Sequence, residues 1–193
     1  LYLNFTVEGL LAEAYGFPAE KEEPVRNYTR TLDLDKALVH LGYQMGETTF
    51  SREYFVSAVQ QVLVLRLTAD QPGRISFLAH LGRGRYLEKT MASSDTVRLI
   101  GQAGGKRGMD FCVAARAVVE GGKLSTVGAH LVVEKADAVT LLLAAATTFR
   151  PPDPEAACLA QLEKATGVDV ATAMIEFLER NAAPGHTRTK GKG

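Results

Sequence analysis

Only two cysteines, Cys112 and Cys158, occur in 193 residues. That is too few for a disulfide framework. No C-x-x-C and no Cys/His cluster accompanies them, so a zinc site is not expected. Cys112 lies in a strand-like apolar run and Cys158 in a helix-like one, and both read as free buried thiols. Charge of either sign is not in excess either: Lys+Arg and Asp+Glu are both 22, for a net charge of zero. Nothing therefore points to nucleic acid or an anionic membrane surface as a partner. The longest apolar run, Ala138–Ala146, is interrupted by Thr140 and reads as a buried strand, well short of a membrane span. The N-terminus lacks a basic region followed by an apolar core, so no secretion signal is read and a soluble chain is expected, its compartment open. Asn4-Phe5-Thr6 and Asn27-Tyr28-Thr29 match the N-glycosylation acceptor, which says little without such a signal.

Motifs that carry chemistry are scarce. No G-x-S-x-G occurs. The stretch GQAGGKRG at Gly101–Gly108 is rich in glycine and contains Lys106, but Ile100 and Arg107 break the phosphate-loop spacing. It reads as a mobile hairpin loop. His40, His80, His130 and His186 have no motif partner. The carboxylates available for general acid–base work are Asp33, Asp35, Glu53, Asp110, Glu134 and Asp137, and none can be assigned to it. Asp33 and Asp35 share a strand face by spacing, yet suit solvated or turn-forming roles better. Glu53 points away from its neighbour Arg52 in a strand, so the two do not pair directly. Tyr43, Tyr54, Phe55 and Tyr86 could form a sugar-stacking platform, although aromatics at strand spacing more often pack in cores or as cross-strand pairs. Arg66 interrupts a buried run and needs a carboxylate or carbonyl partner; a structural ion pair is the preferred reading, a domain–domain contact the second. No residue is assigned a catalytic, cofactor-binding or metal-binding role, and no cofactor is implied.

Strands, by contrast, are plentiful. A composition that is 46% hydrophobic and 23% charged is that of an ordinary globular chain. In Thr48–Ser57, Phe50, Arg52, Tyr54 and Val56 point one way and Thr49, Ser51, Glu53, Phe55 and Ser57 the other. Val62–Thr68 is denser in apolar residues and suits a strand covered on both faces. Asp70-Gln71-Pro72-Gly73 is a turn, after which Ile75–Leu81 resumes as a strand. Leu1–Thr6 and Leu10–Ala14 are short apolar starts. Asn27–Leu34, Leu38–Tyr43, Tyr86–Ala92, Thr96–Gln102, Met109–Val119, Lys123–Val127, His130–Glu134 and Ala138–Ala146 complete the strands. In Met109–Val119, Phe111, Val113, Ala115, Ala117 and Val119 share one face. Glu120-Gly121-Gly122-Lys123 reads as a tight hairpin. The composition shifts at Pro151-Pro152-Asp153-Pro154. Asp153 can cap a helix over Pro154–Ala165, with Cys158, Leu162 and Ala165 on one face and Gly167 stopping it. Asp169 can cap a second helix over Val170–Asn181. The last residues, GHTRTKGKG, should be disordered. The pattern is mainly β: an antiparallel β-sandwich over residues 1–150, a linker of two short helices over 151–182, and a basic tail over 183–193.

Three spaced segments carry a resemblance. They are Tyr28-x-Arg30-x-Leu32-Asp33-Leu34-x-x-Ala37, Arg52-Glu53-x-Phe55-x-Ser57, and Gln61-Val62-x-Val64-x-Arg66-Leu67-x-Ala69-x-x-Pro72-Gly73. Gly121-Gly122, Leu131-x-Val133, Ala136-Asp137 and Thr140-Leu141-Leu142-Leu143-x-Ala145-x-Thr147 extend it. Together their order and spacing resemble the N-terminal domain of glycoside hydrolase family 95, mainly α-L-fucosidases with some α-L-galactosidases. The resemblance implies a large β-sandwich of the super-sandwich type, then a helical linker, then an (α/α)6 barrel that holds the catalytic carboxylates and inverts configuration. The barrel residues do not follow here. Nor does the chain open with the family's segment W-x-E-A-x-P-x-G-N-G-x-x-G, so it is expected to be a piece truncated at both ends. The resemblance thus implies an accessory domain, inactive alone, that braces the barrel and meets a fucosylated glycan only in the full enzyme. The alternative is a free-standing carbohydrate-binding or protein-interaction sandwich without catalysis. Val170, Met174, Phe177 and Leu178 would form an uncovered stripe through which the isolated chain self-associates.

Overall fold

The computed structural model describes residues 1–5, 24–104 and 108–166. Among them are twelve strands and one helix. The strands are β1 (Tyr2–Phe5), β2 (Val25–Asp33), β3 (Leu38–Met45), β4 (Thr48–Ser57), β5 (Val62–Ala69), β6 (Ile75–His80), β7 (Leu87–Ser93), β8 (Thr96–Ala103), β9 (Met109–Glu120), β10 (Lys123–Val127), β11 (His130–Ala136) and β12 (Ala138–Thr147). The helix is α1 (Pro154–Thr166). All pairings are antiparallel, in an eight-stranded sheet ordered β2-β3-β4-β5-β12-β9-β8-β7 and a four-stranded sheet ordered β1-β6-β11-β10. The mainly β sandwich is as the alternation predicts. Leu10–Ala14, the second helix at Val170–Asn181 with its stripe of Val170, Met174, Phe177 and Leu178, and the basic tail lie outside the described residues.

Two apolar layers flank the large sheet. Between the sheets lie Leu65 and Leu67 of β5, Ile75 and Phe77 of β6, Ala115 and Ala117 of β9, Leu131 and Val133 of β11, and Val139 and Leu141 of β12. On the opposite face Phe55, Val62, Val64, Cys112, Ala114, Leu142 and Ala144 meet Cys158, Leu162 and Ala165 of α1. Alternation makes this possible, since odd and even residues of one strand feed different layers. β5, β9 and β12 are therefore apolar on both faces, and Phe55 points away from Phe50 and Tyr54 as its spacing requires.

The helix is fixed at both ends as well as along its apolar face. Asp153 Oδ1 accepts the Ala156 N–H at 3.0 Å, a side-chain N-cap with Pro154 in the first turn. Arg98 of β8 pairs with Glu155 at 2.5 Å, and Arg116 of β9 pairs with Glu163 at 2.8 Å. Arg116 also donates to Thr166 Oγ1 at 3.2 Å. Leu162 is fully buried, and burial of a leucine contributes roughly 1.5–3 kcal/mol.

The chain passes between the two sheets at three places along one rim, and Asp137 lies at their meeting point. The β5-to-β6 passage runs through the Asp70–Gly73 turn, where the Gly73 N–H donates to Asp137 Oδ1 at 2.7 Å. The β11-to-β12 passage is Asp137 itself, whose N–H donates to the Glu120 carbonyl at 2.8 Å. The β9-to-β10 passage is Gly121-Gly122. Expected to close a hairpin, this pair instead turns a corner, because β9 belongs to the large sheet and β10 to the small one. Both glycines have the positive φ that a tight turn requires, 66° and 65°. The pattern in sequence is the same for either use, and the pairing of β9 with β12 decides it. A Cβ at Gly121 would meet the Asp137 carboxylate, and one at Gly122 would run into the Glu134 and Lys135 carbonyls.

Gly101, at the start of the glycine-rich stretch, lies inside β8 as the predicted strand Thr96–Gln102 has it. A Cβ at Gly101 would collide with the Tyr86 carbonyl and the Phe111 ring, so close approach of neighbours explains this glycine.

Gly122 and Gly128 share a left-handed backbone, but a Cβ at Gly128 meets nothing within 4 Å. Gly128→Ala should thus cost only the conformational penalty, about 1–2 kcal/mol. Gly122→Ala should cost clearly more, because backbone must also move. Urea unfolding of both variants measures the difference, and equal midpoints would contradict the corner packing described above.

Candidate functional site

The six carboxylates are dispersed, and most have structural work. Asp33 ends β2 and accepts the N–H groups of Asp35 at 3.1 Å and Lys36 at 3.0 Å. The Lys36 N–H, with its nearby ammonium, holds the Asp33 carboxyl below the usual carboxylate range. Asp35 lies beyond the end of β2 in the turn, so the pair takes the turn-forming role that suits it better than a shared strand face. Asp110 accepts Gln102 Nε2 at 2.8 Å, and Glu134 sits 4.0 Å from Lys123. Asp137 holds the corner. Glu53 lies opposite His40 of β3 and Arg66 of β5 in the ladder.

Arg52 faces away from Glu53. Its Nη2 donates to the Tyr43 hydroxyl at 2.7 Å and its guanidinium lies 5.0 Å from the centre of the Tyr43 ring. Arg66 forms the structural ion pair expected of it, with Glu120, and also donates to the buried Thr140 Oγ1 at 2.9 Å. The four aromatics do not form one platform. Tyr43 is buried and stacks on its cross-strand partner Phe50 with ring centres 5.2 Å apart. Tyr54 packs into the layer between the sheets and Phe55 into the layer under α1. Tyr86 is exposed beside Arg83.

The two thiols are free and buried, as expected. Cys158 Sγ donates to the Cys112 carbonyl at 3.4 Å. The hydrogen bond to Cys158, and then burial, push the Cys112 thiol far up, so it is no nucleophile at neutral pH.

Register brings together a cluster that spacing in sequence does not reveal. His80 of β6 stacks on Tyr2 of β1 at 4.9 Å and lies 5.1 Å from the ring of His130 in β11. His40 is elsewhere, with Nε2 3.0 Å from Ser51 Oγ, and His186 lies outside the described residues. Burial first, and then His130, hold the His80 imidazole below its usual 6.5. Its Nδ1 is buried without a partner among the described residues.

At the rim opposite the Asp137 corner, a cavity of about 470 Å³ opens. Its walls come from the start of β9, the end of β12, α1, the β4–β5 turn and the loop after β6. Phe149 is exposed at its edge. Arg83 and Arg150 line it, no carboxylate among the described residues does, and Arg83 lies 4.6 Å from the centre of the Phe111 ring. Gln161 lines it too, and its Oε1 is buried without a hydrogen-bond partner among the described residues. No group of three or more His, Cys, Asp or Glu among the described residues could hold a metal ion.

The profile described as "Glycosyl hydrolase family 65, N-terminal domain" matches residues 9–152. The chain belongs to that family. This family 65 N-terminal domain is also 30% identical over 149 residues to "Alpha-L-fucosidase 2" of Arabidopsis thaliana, covering 65% of the chain and 18% of the relative. A solved chain assigned as a kojibiose phosphorylase from human microbiome has the same fold, with a TM-score of 0.57 at 10% identity. That match covers 82% of this chain and 25% of the other. A stretch of 32 residues is 66% identical to a "Probable alpha-L-glutamate ligase" of Nitrosococcus oceani, 17% of the chain and 11% of the ligase. The domain thus spans a quarter or less of the length of each of these relatives. The expected membership in a glycoside hydrolase N-terminal sandwich holds. Among the described residues, no helix is long and apolar enough to cross a membrane.

The His80 geometry has a testable consequence. The folded domain resists protonating this ring more than the unfolded chain does. Its contribution to stability is complete above pH 6.5 and is lost as pH falls through the lowered folded value. Urea unfolding between pH 6.5 and about pH 5 should therefore show stability declining, and His80→Gln should flatten that decline. An unchanged slope in the variant would assign the pH dependence to other groups.

Proposed function

We propose that this domain is the accessory N-terminal module of an α-L-fucosidase-type glycoside hydrolase, with family 95 as its finer affiliation. In this reading it braces a helical-barrel catalytic domain, and a fucosylated glycan is met only by the assembled enzyme. The similarity to "Alpha-L-fucosidase 2" over 149 residues is the observation that supports the sugar class. Glycoside hydrolysis needs two carboxyl groups facing one bond. The engagement of Asp33, Asp110, Glu134 and Asp137 in turns and ladders favours a bracing role over a catalytic one. The second reading, a carbohydrate-binding sandwich that works without a barrel, is favoured by the cavity between β9, β12 and α1.

The chain alone should not hydrolyse aryl α-L-fucosides above the uncatalysed rate. Release of the aryl group, followed by absorbance, checks this. Turnover that survives purification and disappears in Asp33→Asn or Glu53→Gln would overturn the accessory reading.

A further inference from the structure

We propose that the cavity at the rim opposite the Asp137 corner is a binding site for an acidic sugar, a hexuronate at the end of an oligosaccharide. Its volume of about 470 Å³ lies within the range of small-ligand sites, roughly 300–1,000 Å³. Among the described residues its charged lining is of one sign. Arg83 and Arg150 both line it, and neither has an ion-pair partner among the described residues. Other arginines on the same sheet, Arg66, Arg98 and Arg116, are paired with Glu120, Glu155 and Glu163. The two guanidinium groups at the cavity can therefore take an anion from outside, and planar guanidinium forks match a carboxylate well.

Two further groups select a sugar over a simple anion. Gln161 Oε1 is a buried acceptor without a donor among the described residues. The residue lines the cavity, so a turn of its side-chain amide would present that oxygen to a sugar hydroxyl, and leaving it unpaired is costly. Phe149 is 80% exposed at the rim, and its ring offers an apolar face to the C–H face of a pyranose. Cys112, Val113, Ala145 and Ala146 also line the cavity, and their small side chains leave room. The uronate carboxylate would meet Arg83 and Arg150, a ring hydroxyl would donate to Gln161, and the ring would lie against Phe149.

The proposal concerns the sandwich and α1 only, and it stands whether or not the fucosidase-type reading does. Titration calorimetry of the full chain with oligogalacturonate, with neutral oligogalactoside of the same length and with glucose 1-phosphate tests it. Saturable binding is expected for oligogalacturonate, at least tenfold tighter than for the neutral sugar. Arg150→Gln, Phe149→Ala and Gln161→Leu should each weaken it by tenfold or more, with unchanged circular dichroism and unfolding midpoint. Absence of saturable binding would overturn the site. Equal affinity for the neutral sugar would overturn the acidic class, and tighter binding of glucose 1-phosphate would overturn the carboxylate. Binding that ignores all three substitutions would place it elsewhere on the domain.

Discussion

The three sheet-to-sheet passages along one rim all depend on Asp137. Its carboxylate accepts the Gly73 N–H, its own N–H reaches the Glu120 carbonyl, and Gly121 leaves space for its side chain. A sandwich whose strands switch sheets needs its corners fixed, or the register of every following strand is free to slip. Here the register is set where β9, β12 and β5 begin or end together. The rest of the core follows from that alignment. β12 then lies between β5 and β9, with Val139 and Leu141 toward the small sheet and Leu142 and Ala144 toward α1.

Much of this was legible in the chain. Period-two alternation placed β4 at Thr48–Ser57 and gave β9 its inward face of Phe111, Ala115 and Ala117. The Asp153-Pro154 pair and the spacing of Cys158, Leu162 and Ala165 located α1 and its buried face. Which strands share a sheet was not legible, because alternation reports two faces and not which neighbour covers each. Gly121-Gly122 shows the limit: the same positive φ values serve a hairpin or a corner. Non-local contacts were hidden for the same reason. Arg66 announced a missing partner, but the partners of Arg98 and Arg116 lie on α1, 57 and 47 residues away. The His80–His130 contact and the cavity arise only when β6 meets β11 and α1 closes over the ends of β9 and β12.

The two rims have different characters. At one, carboxylate, glycine and backbone are joined in short hydrogen bonds. At the other, two arginines and a glutamine line an open cavity. This division fits a chain rich in carboxylates that, among the described residues, are dispersed and not clustered. Its carboxylates hold turns, and the helix that follows the sandwich is clamped on by two ion pairs and a buried leucine.

The central claim is that the corner at Asp137 belongs to the cooperative core. Native-state hydrogen exchange measures it directly, because each amide reports the opening that exposes it. The account predicts that the amides of Gly73 and Asp137 exchange only with global unfolding, as those of Cys112 and Val139 in the buried strands do. Exchange at Gly73 and Asp137 that is faster by orders of magnitude, with the strand amides still protected, would show that the corner opens locally and does not set the register.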